Sequence, residues 1–277
     1  MRYIISLFVL GCLYSCGTVM KKKNYEPLIL KGSESMHEAF SSLVGDFKKL
    51  QDTLDVRIEG GGSRTGLMAI KDQTADIGLS SFPFNLDSIL GNDHGINQRI
   101  VAYDGIVLIN HIDNPIGQLS DSQITNIYSG LVTDWSEIGG EPGAILPVVR
   151  DSNSGTQRFF TEHFKIFEVA PTAVVARENH EIVDSVISNK NSIGFIGYAY
   201  YTAMVKNIAL PAATDRSDTI RFVEPEPRYI NNGDYPLKRS LRIYFNEKYD
   251  ARVMAFLQYL DTDRAKEIIE SHGLIIN

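Results

Sequence analysis

Apolar residues along this chain follow two alternating rhythms. Short runs of strand length stand at residues 28–31, 56–59, 77–79, 145–149, 193–196 and 241–245. Between them apolar positions recur at three- and four-residue intervals, the helical spacing. Residues 38–50 place Phe40, Leu43, Val44, Phe47 and Leu50 on one face. Residues 67–71, 120–128, 157–164, 182–187, 250–259 and 263–271 read as further helices, with Ser120 and Ser154 in capping positions. Two extended runs, 100–103 and 106–110, are interrupted by Asp104-Gly105, and 222–236 reads as a long connection. Strands alternating with helices predict an α/β architecture with mostly parallel sheets. In such sheets ligands sit beyond the carboxyl ends of strands, at loops that lead into helices.

Four donor-rich loops fall at such places. In VVRDSNSGTQRFF an apolar run delivers Arg150, a polar loop follows, and Ser154-Gly155-Thr156 opens a helix. Free backbone N–H groups and the positive end of the helix dipole make such a start an anion site. The guanidinium fork of Arg150 suits a tetrahedral oxyanion. A capped helix beside a surface Arg fits the same residues. GSES, with Ser33 and Ser35, offers hydroxyls after the first run; an ordinary cap is the alternative. In EGGGSRTG consecutive glycines let backbone approach a ligand, and Ser63 adds a donor; the alternative is a tight turn with close helix packing. No Lys-Ser or Lys-Thr ends that run, which excludes a nucleotide P-loop of the usual form. Ser80-Ser81 closes the third strand, where a hydroxyl pair also fits a plain turn. Asp104 reads as a turn residue, as an acceptor for a protonated oxyanion, or as a partner that orients Arg150. Together the loops form a convergent set of neutral donors with one Arg.

The 277 residues, 43% hydrophobic and 22% charged, suffice for two lobes with separate cores. A formal charge of −7 and no basic run beyond residues 21–23 exclude nucleic acid as an expected partner. At the start, Met1-Arg2 and the apolar stretch 3–14, ending LYSCG, resemble a bacterial lipoprotein signal. This makes 1–15 the signal, Cys16 the lipidated residue and 16–26 a tether. Cys12 is a competing site with a very short apolar region; a plain secretory signal is the other reading. Either places the protein outside the cytoplasm. Cys12 and Cys16 are the only cysteines, so the mature fold has no disulfide. The six histidines are scattered, with no metal-binding spacing, and no G-x-S-x-G is present. An exported hydrolase is thus the weaker class of function, and no cofactor or metal is expected.

The pieces GSESM, EGGGSRTG, ADIGLSS, AYDGIVLIN, NIYSGLVTDWSEIGG and RDSNSGT, with SIGFIGY and YPLKRSLRIYF further on, resemble the phosphate-binding proteins of bacterial ABC phosphate importers (PstS-like, type II periplasmic binding fold). The resemblance implies two α/β lobes joined by two crossover strands. Residues 27–104 with about 222–277 would form one lobe, and about 105–221 the other. It implies phosphate clamped between them by Ser33, Ser35, Ser63, Ser81, Arg150, Ser154, Gly155 and Thr156. Asp151 or Ser152 lies where an Arg-orienting carboxylate is expected. It also implies a monomer on the periplasmic side of a membrane that hands phosphate to an ABC permease. The chain departs from the family at Ser80-Ser81-Phe82, where relatives have a cation after the serines or a carboxylate at the Ser81 position. Either Asp104 or Glu34 would then accept the proton of hydrogen phosphate, or selectivity against sulfate would be weaker. Receptors for sulfate, molybdate or tungstate share this donor-rich pattern. The segment 117–143, with Trp135, matches the family without a physical account of why, and permease docking is one hypothesis for it.

Overall fold

The computed structural model describes residues 26–51, 54–213 and 220–276. The signal and Cys16 lie outside the described residues. The first stretch runs β1 (Leu28–Gly32), α1 (Glu34–Leu50), β2 (Val56–Glu59), α2 (Ser63–Lys71), β3 (Ile77–Ser80), α3 (Leu86–Leu90) and β4 (Ile96–His111). Next come α4 (Asp121–Ser129), β5 (Leu146–Arg150), α5 (Gly155–His163), β6 (Val174–Ala176), α6 (Asn179–Ser188), β7 (Ser192–Gly197), β8 (Val205–Asn207) and β9 (Leu210–Pro211). The chain closes with β10 (Phe222–Val223), α7 (Pro227–Asn232), β11 (Lys238–Asn246), α8 (Ala251–Leu260) and α9 (Asp263–Ser271). Local signals set several ends. Ser120 and Gln123 form a capping box on α4, which stops at the left-handed Gly130.

The main sheet runs β2-β1-β3-β11-β4-β7-β5-β6, with β8 beside β4. Its flanks are parallel: β1 with β2 and β3, and β5 with β6 and β7. Its centre is not, which corrects the mostly parallel expectation. There β11 runs antiparallel to both β3 and β4, and β4 antiparallel to β7. The two extended runs around Asp104-Gly105 are also one strand of 16 residues. Asp104-Gly105 is no turn. It marks where β4 exchanges its partner β11 for β7, which takes over from Ile106.

The buried apolar residues divide on either side of that exchange, as a two-lobed fold requires. Leu28, Leu30, Ile77, Leu79 and Ile243 pack against Phe40 and Phe47 of α1 and Phe256 of α8. On the opposite face Leu67 and Ile70 of α2 meet Phe82, Phe84 and Tyr244. Beyond the exchange, Ile106, Leu108, Phe160 and Phe195 gather with Trp135, and Val107, Ile109, Val148 and Ile196 meet Ile182 of α6. Residues 222–236 are more structured than a bare connection, since they hold β10 and α7. Trp135 is 1% exposed and its Nε1 donates to the Asn191 carbonyl at 3.1 Å. A side chain placed so deeply in a core cannot meet a permease, so its contribution is to packing.

Candidate functional site

The carboxyl ends of β1, β3 and β5 and the amino ends of α1, α2 and α5 meet in one buried cluster of hydroxyls. Ser33 Oγ donates to Ser81 Oγ at 3.0 Å, and Ser63 Oγ lies 3.2 Å from Ser81 Oγ. The Ser81 backbone N–H donates to Ser63 Oγ at 3.0 Å. Across the cluster Ser35 Oγ stands 3.0 Å from Thr156 Oγ1. Ser33 precedes α1 but makes no capping bond with its side chain, so its hydroxyl serves the cluster and not the helix. Ser154 does cap, accepting from the Gln157 N–H at 3.2 Å. Gly155 is required by close approach: a Cβ there would lie 2.2 Å from Ser63 Oγ and 2.7 Å from Ser81 Oγ. Gly62, at φ 89°, meets the Asn153 carbonyl in the same way, and the Arg64 N–H donates to that carbonyl at 3.2 Å. All four donor loops predicted from sequence are therefore brought together.

Arg150 ends β5 and is 3% exposed. Its Nη2 donates to the Arg177 carbonyl, while Nε and Nη1 have no hydrogen-bond partner. Burial pulls its pKa below the usual arginine value, and the carboxylates of Asp151 and Glu34 push the other way. It remains a cation. No carboxylate orients it: Asp151 Oδ1 is engaged by the Asn153 N–H at 2.8 Å, and among the described residues Arg150 forms no ion pair. The alternative of a surface Arg beside a capped helix is excluded by this burial.

Asp104 does not serve Arg150 either. It lies opposite Arg239 in the β4–β11 register. Arg239 Nη2 and Nε donate to Asp104 Oδ2 at 2.6 and 3.2 Å, and the Tyr198 N–H donates to Oδ1 at 3.1 Å. Burial raises the Asp104 carboxyl, and Arg239 and the Tyr198 N–H draw it back. Both oxygens thus already accept hydrogen bonds. Glu34 uses one carboxylate oxygen: Oε1 accepts from the Gly61 N–H at 2.6 Å. The hydroxyl of Tyr200 donates to the Glu34 carbonyl at 2.7 Å.

Two residues of this region escaped the sequence reading. Arg239 Nη1 donates to Thr156 Oγ1 at 2.7 Å. Its signal was present, because Arg239 alternates with Leu241 and Ile243 and so shares their buried face. Asn179 opens α6 and is 1% exposed; its Oδ1 accepts from the Gly197 N–H at 3.4 Å and its Nδ2 has no partner. The short β6 that precedes α6 went unread, and with it this fifth loop. Among the fully buried groups two cations stand against one carboxylate, with the carboxylates of Asp151 and Glu34 at the edge. The groups still without partners here, on Arg150 and Asn179, are all donors. Such a site holds an acceptor, preferably an anion.

Comparison with known proteins agrees with this chemistry. A model described as a PBP superfamily domain matches residues 20–264. The phosphate-binding protein PstS of Borreliella burgdorferi is 24% identical, over 99% of this chain and 98% of its own length. PstS of Pseudomonas aeruginosa is 27% identical, covering 88% and 81%. Among solved structures, a phosphate ABC transporter substrate-binding protein of Clostridium perfringens, with bound phosphate, is 25% identical. It superposes with a TM-score of 0.82 over 91% of this chain and 100% of its own. An ABC-type phosphate transport receptor of Vibrio cholerae gives 0.74 at 25% identity, over 90% and 100%.

Proposed function

This chain belongs to the PBP superfamily, and we propose that within it the chain captures inorganic phosphate between its two lobes and delivers it to an ABC permease. The observation that carries the proposal is Arg150, whose buried Nε and Nη1 lack partners beside the hydroxyl cluster. A buried donor without an acceptor costs about 1–3 kcal/mol, and more on a charged group. A phosphate oxygen on either N–H group removes part of that cost. Ser33, Ser35, Ser63 and Ser81 would hold it from one side, and Ser154, Gly155 and Thr156 from the other, with the N–H groups that open α5 as further donors. Asp104 supports from behind, through Arg239. The likeness to phosphate-binding relatives in name and fold supports the same ligand.

One lobe comprises 27–104 and the other begins at 105. We place the return crossing at β11 and not near 222, because Val223, Ile230, Tyr235 and Leu237 pack with the second lobe's core. The crossing strands β4 and β11 are then the hinge. The contacts Tyr200 to Glu34, Ser35 to Thr156 and Arg64 to Asn153 join the lobes when the cleft closes. Cys16 carries the lipid that retains the protein at the outer face of a bacterial membrane, as a monomer, within reach of the permease. The function is capture and release, not catalysis.

One observation favours a broader receptor. Asp104 already accepts from Arg239 and the Tyr198 N–H, and Glu34 Oε1 from the Gly61 N–H, so each carboxylate near the site is partly satisfied and repels a fully ionised tetrahedral anion such as sulfate less strongly than an unpartnered one would. Titration calorimetry of the chain from Gly17 onward, with phosphate and then sulfate, tests both readings. Tight phosphate binding without sulfate heat supports the phosphate receptor. Equal binding of both replaces it with a general oxyanion receptor. Absence of heat from either, in folded ligand-free protein, refutes the proposal.

A further inference from the structure

Arg239 is one of two residues here to which the sequence assigned no role, and its side chain is wholly buried. A guanidinium only donates hydrogen bonds, whereas a hydroxyl has one hydrogen and two lone pairs. At 2.7 Å, therefore, Arg239 Nη1 occupies a lone pair of Thr156 Oγ1. The hydrogen of Thr156 cannot then point at Arg239; Ser35 Oγ stands 3.0 Å away with either hydroxyl able to donate, and where Ser35 donates into the second lone pair the Thr156 hydrogen is left for a third acceptor. Arg239 is itself fixed by Asp104 through Nη2 and Nε, and Asp104 by the Tyr198 N–H. The chain of bonds has one direction, from the Tyr198 N–H and Arg239 onto Asp104, and from Arg239 onto Thr156.

We propose that Arg239 is a positioning residue which fixes the Thr156 hydroxyl as a donor toward the bound anion. The proposal rests on the phosphate-capture reading of the same site. Without Arg239 the hydroxyl can rotate and spend its hydrogen on another acceptor, turning a lone pair toward the ligand. With Arg239 the hydrogen is excluded from that lone pair's position, and a charged donor on the oxygen polarises the O–H further. The Asp104 carboxylate has the complementary task of holding the guanidinium while cancelling its charge, so that the net attraction for the anion comes from Arg150. Two arginines thus divide the labour: one is offered to the ligand and one sets the polarity of a hydroxyl. Because Arg239 and Asp104 lie on β11 and β4, the setting is made at the strand crossing itself.

The test is a double-mutant cycle in phosphate affinity, measured by titration calorimetry on the whole chain. Arg239→Lys keeps a cation against Asp104 and thus the fold, but loses the fork that reaches Asp104 and Thr156 together. Thr156→Val removes the hydroxyl, and Thr156→Ser retains it. Arg239→Lys and Thr156→Val are each expected to weaken binding about 10- to 100-fold, and the double variant to be no more than about 3-fold weaker than the weaker single. Thr156→Ser is expected to stay within about 3-fold of wild type and to keep its sensitivity to Arg239→Lys. Losses that multiply in the double variant, or wild-type affinity in Arg239→Lys, overturn the proposal. A merely structural Arg239 would lower melting temperature without such coupling. The wild-type titration separates the layers: no phosphate binding refutes the capture reading, whereas phosphate binding with an uncoupled cycle refutes only the role of Arg239.

Discussion

Replacing Arg150 by Met should move affinity and stability in opposite directions. Met approximates the length of the side chain and has no N–H group. With phosphate in the cleft, the variant loses a charge-assisted bond from one of the unpartnered nitrogens, Nε or Nη1. At about 1.5–3 kcal/mol, that is about 10- to 10²-fold in Kd. Without phosphate the account reverses. The wild type then buries a cation with two unmet donors, at about 1–3 kcal/mol or more, and recovers only the bond from Nη2 to the Arg177 carbonyl, worth about 0.5–1.5 kcal/mol. Ligand-free Arg150→Met should accordingly be more stable by about 1 kcal/mol, a rise in Tm of about 2–4 °C. The assay is a pair of melting curves, phosphate-free and at saturating phosphate, on protein refolded from denaturant to strip bound anion. Wild type should gain about 4 kcal/mol at a thousandfold excess over its Kd, and the variant about 1.4–2.7 kcal/mol at the same phosphate concentration. A ligand-free variant that melts below wild type, or one that keeps the full phosphate-dependent rise, would refute the argument that Arg150 is held in wait for an anion.

Three further outcomes are expected. Gly155→Ala drives a methyl to 2.2 Å from Ser63 Oγ, so α5 must back away from α2; overpacking of about 1–3 kcal/mol should weaken phosphate binding about 10-fold or more, and wild-type affinity by calorimetry would contradict it. Trp135→Ala empties a site that is 1% exposed and should cost about 3–5 kcal/mol in chemical denaturation; the folded variant should bind phosphate normally, and an unchanged denaturation midpoint would show that the indole is not a core anchor. Glu181 accepts from the Arg177 N–H at 2.5 Å and the Glu178 N–H at 3.3 Å, which holds its carboxyl below the usual range. Its native pKa lies below the unfolded value of about 4.3, so its stabilisation is present above that pH and is lost as pH falls through the native value. Glu181→Gln should flatten the acid limb of the melting temperature against pH; an unchanged acid limb would remove Glu181 from the account.

The parts of the fold carried by local pattern were legible from the chain. Helical spacing located α1, α4, α8 and α9 to within a few residues, because each of those faces buries against one sheet face. The four donor loops were legible because each couples a strand end to a helix start within a few residues. Where meaning depended on a partner far along the chain, it was hidden. Asp104-Gly105 resembled a turn because local composition cannot show a strand passing from one partner to another. β6, with two exposed valines and three residues in all, was too short to show a period, and Asn179 was lost with it.

Arg239 shows where the limit lies. Its alternation with Leu241 and Ile243 places it on a buried face, and a buried cation requires a counter-charge. From that alone the chain must supply a carboxylate to β11, yet Asp104 is 135 residues away, and only antiparallel pairing in one register sets the two opposite each other. A slip of one residue would turn Arg239 to the other face and leave Asp104 buried and unpaired. The ion pair and the register therefore demand each other. Breaking one partner of such a pair costs about 3–5 kcal/mol, enough to disfavour every alternative register of the two strands that cross between the lobes. The alignment that fixes Arg239 against Asp104 also delivers its remaining nitrogen to Thr156. The correct threading of the crossing and the correct polarity of the ligand site thus follow from the same pairing.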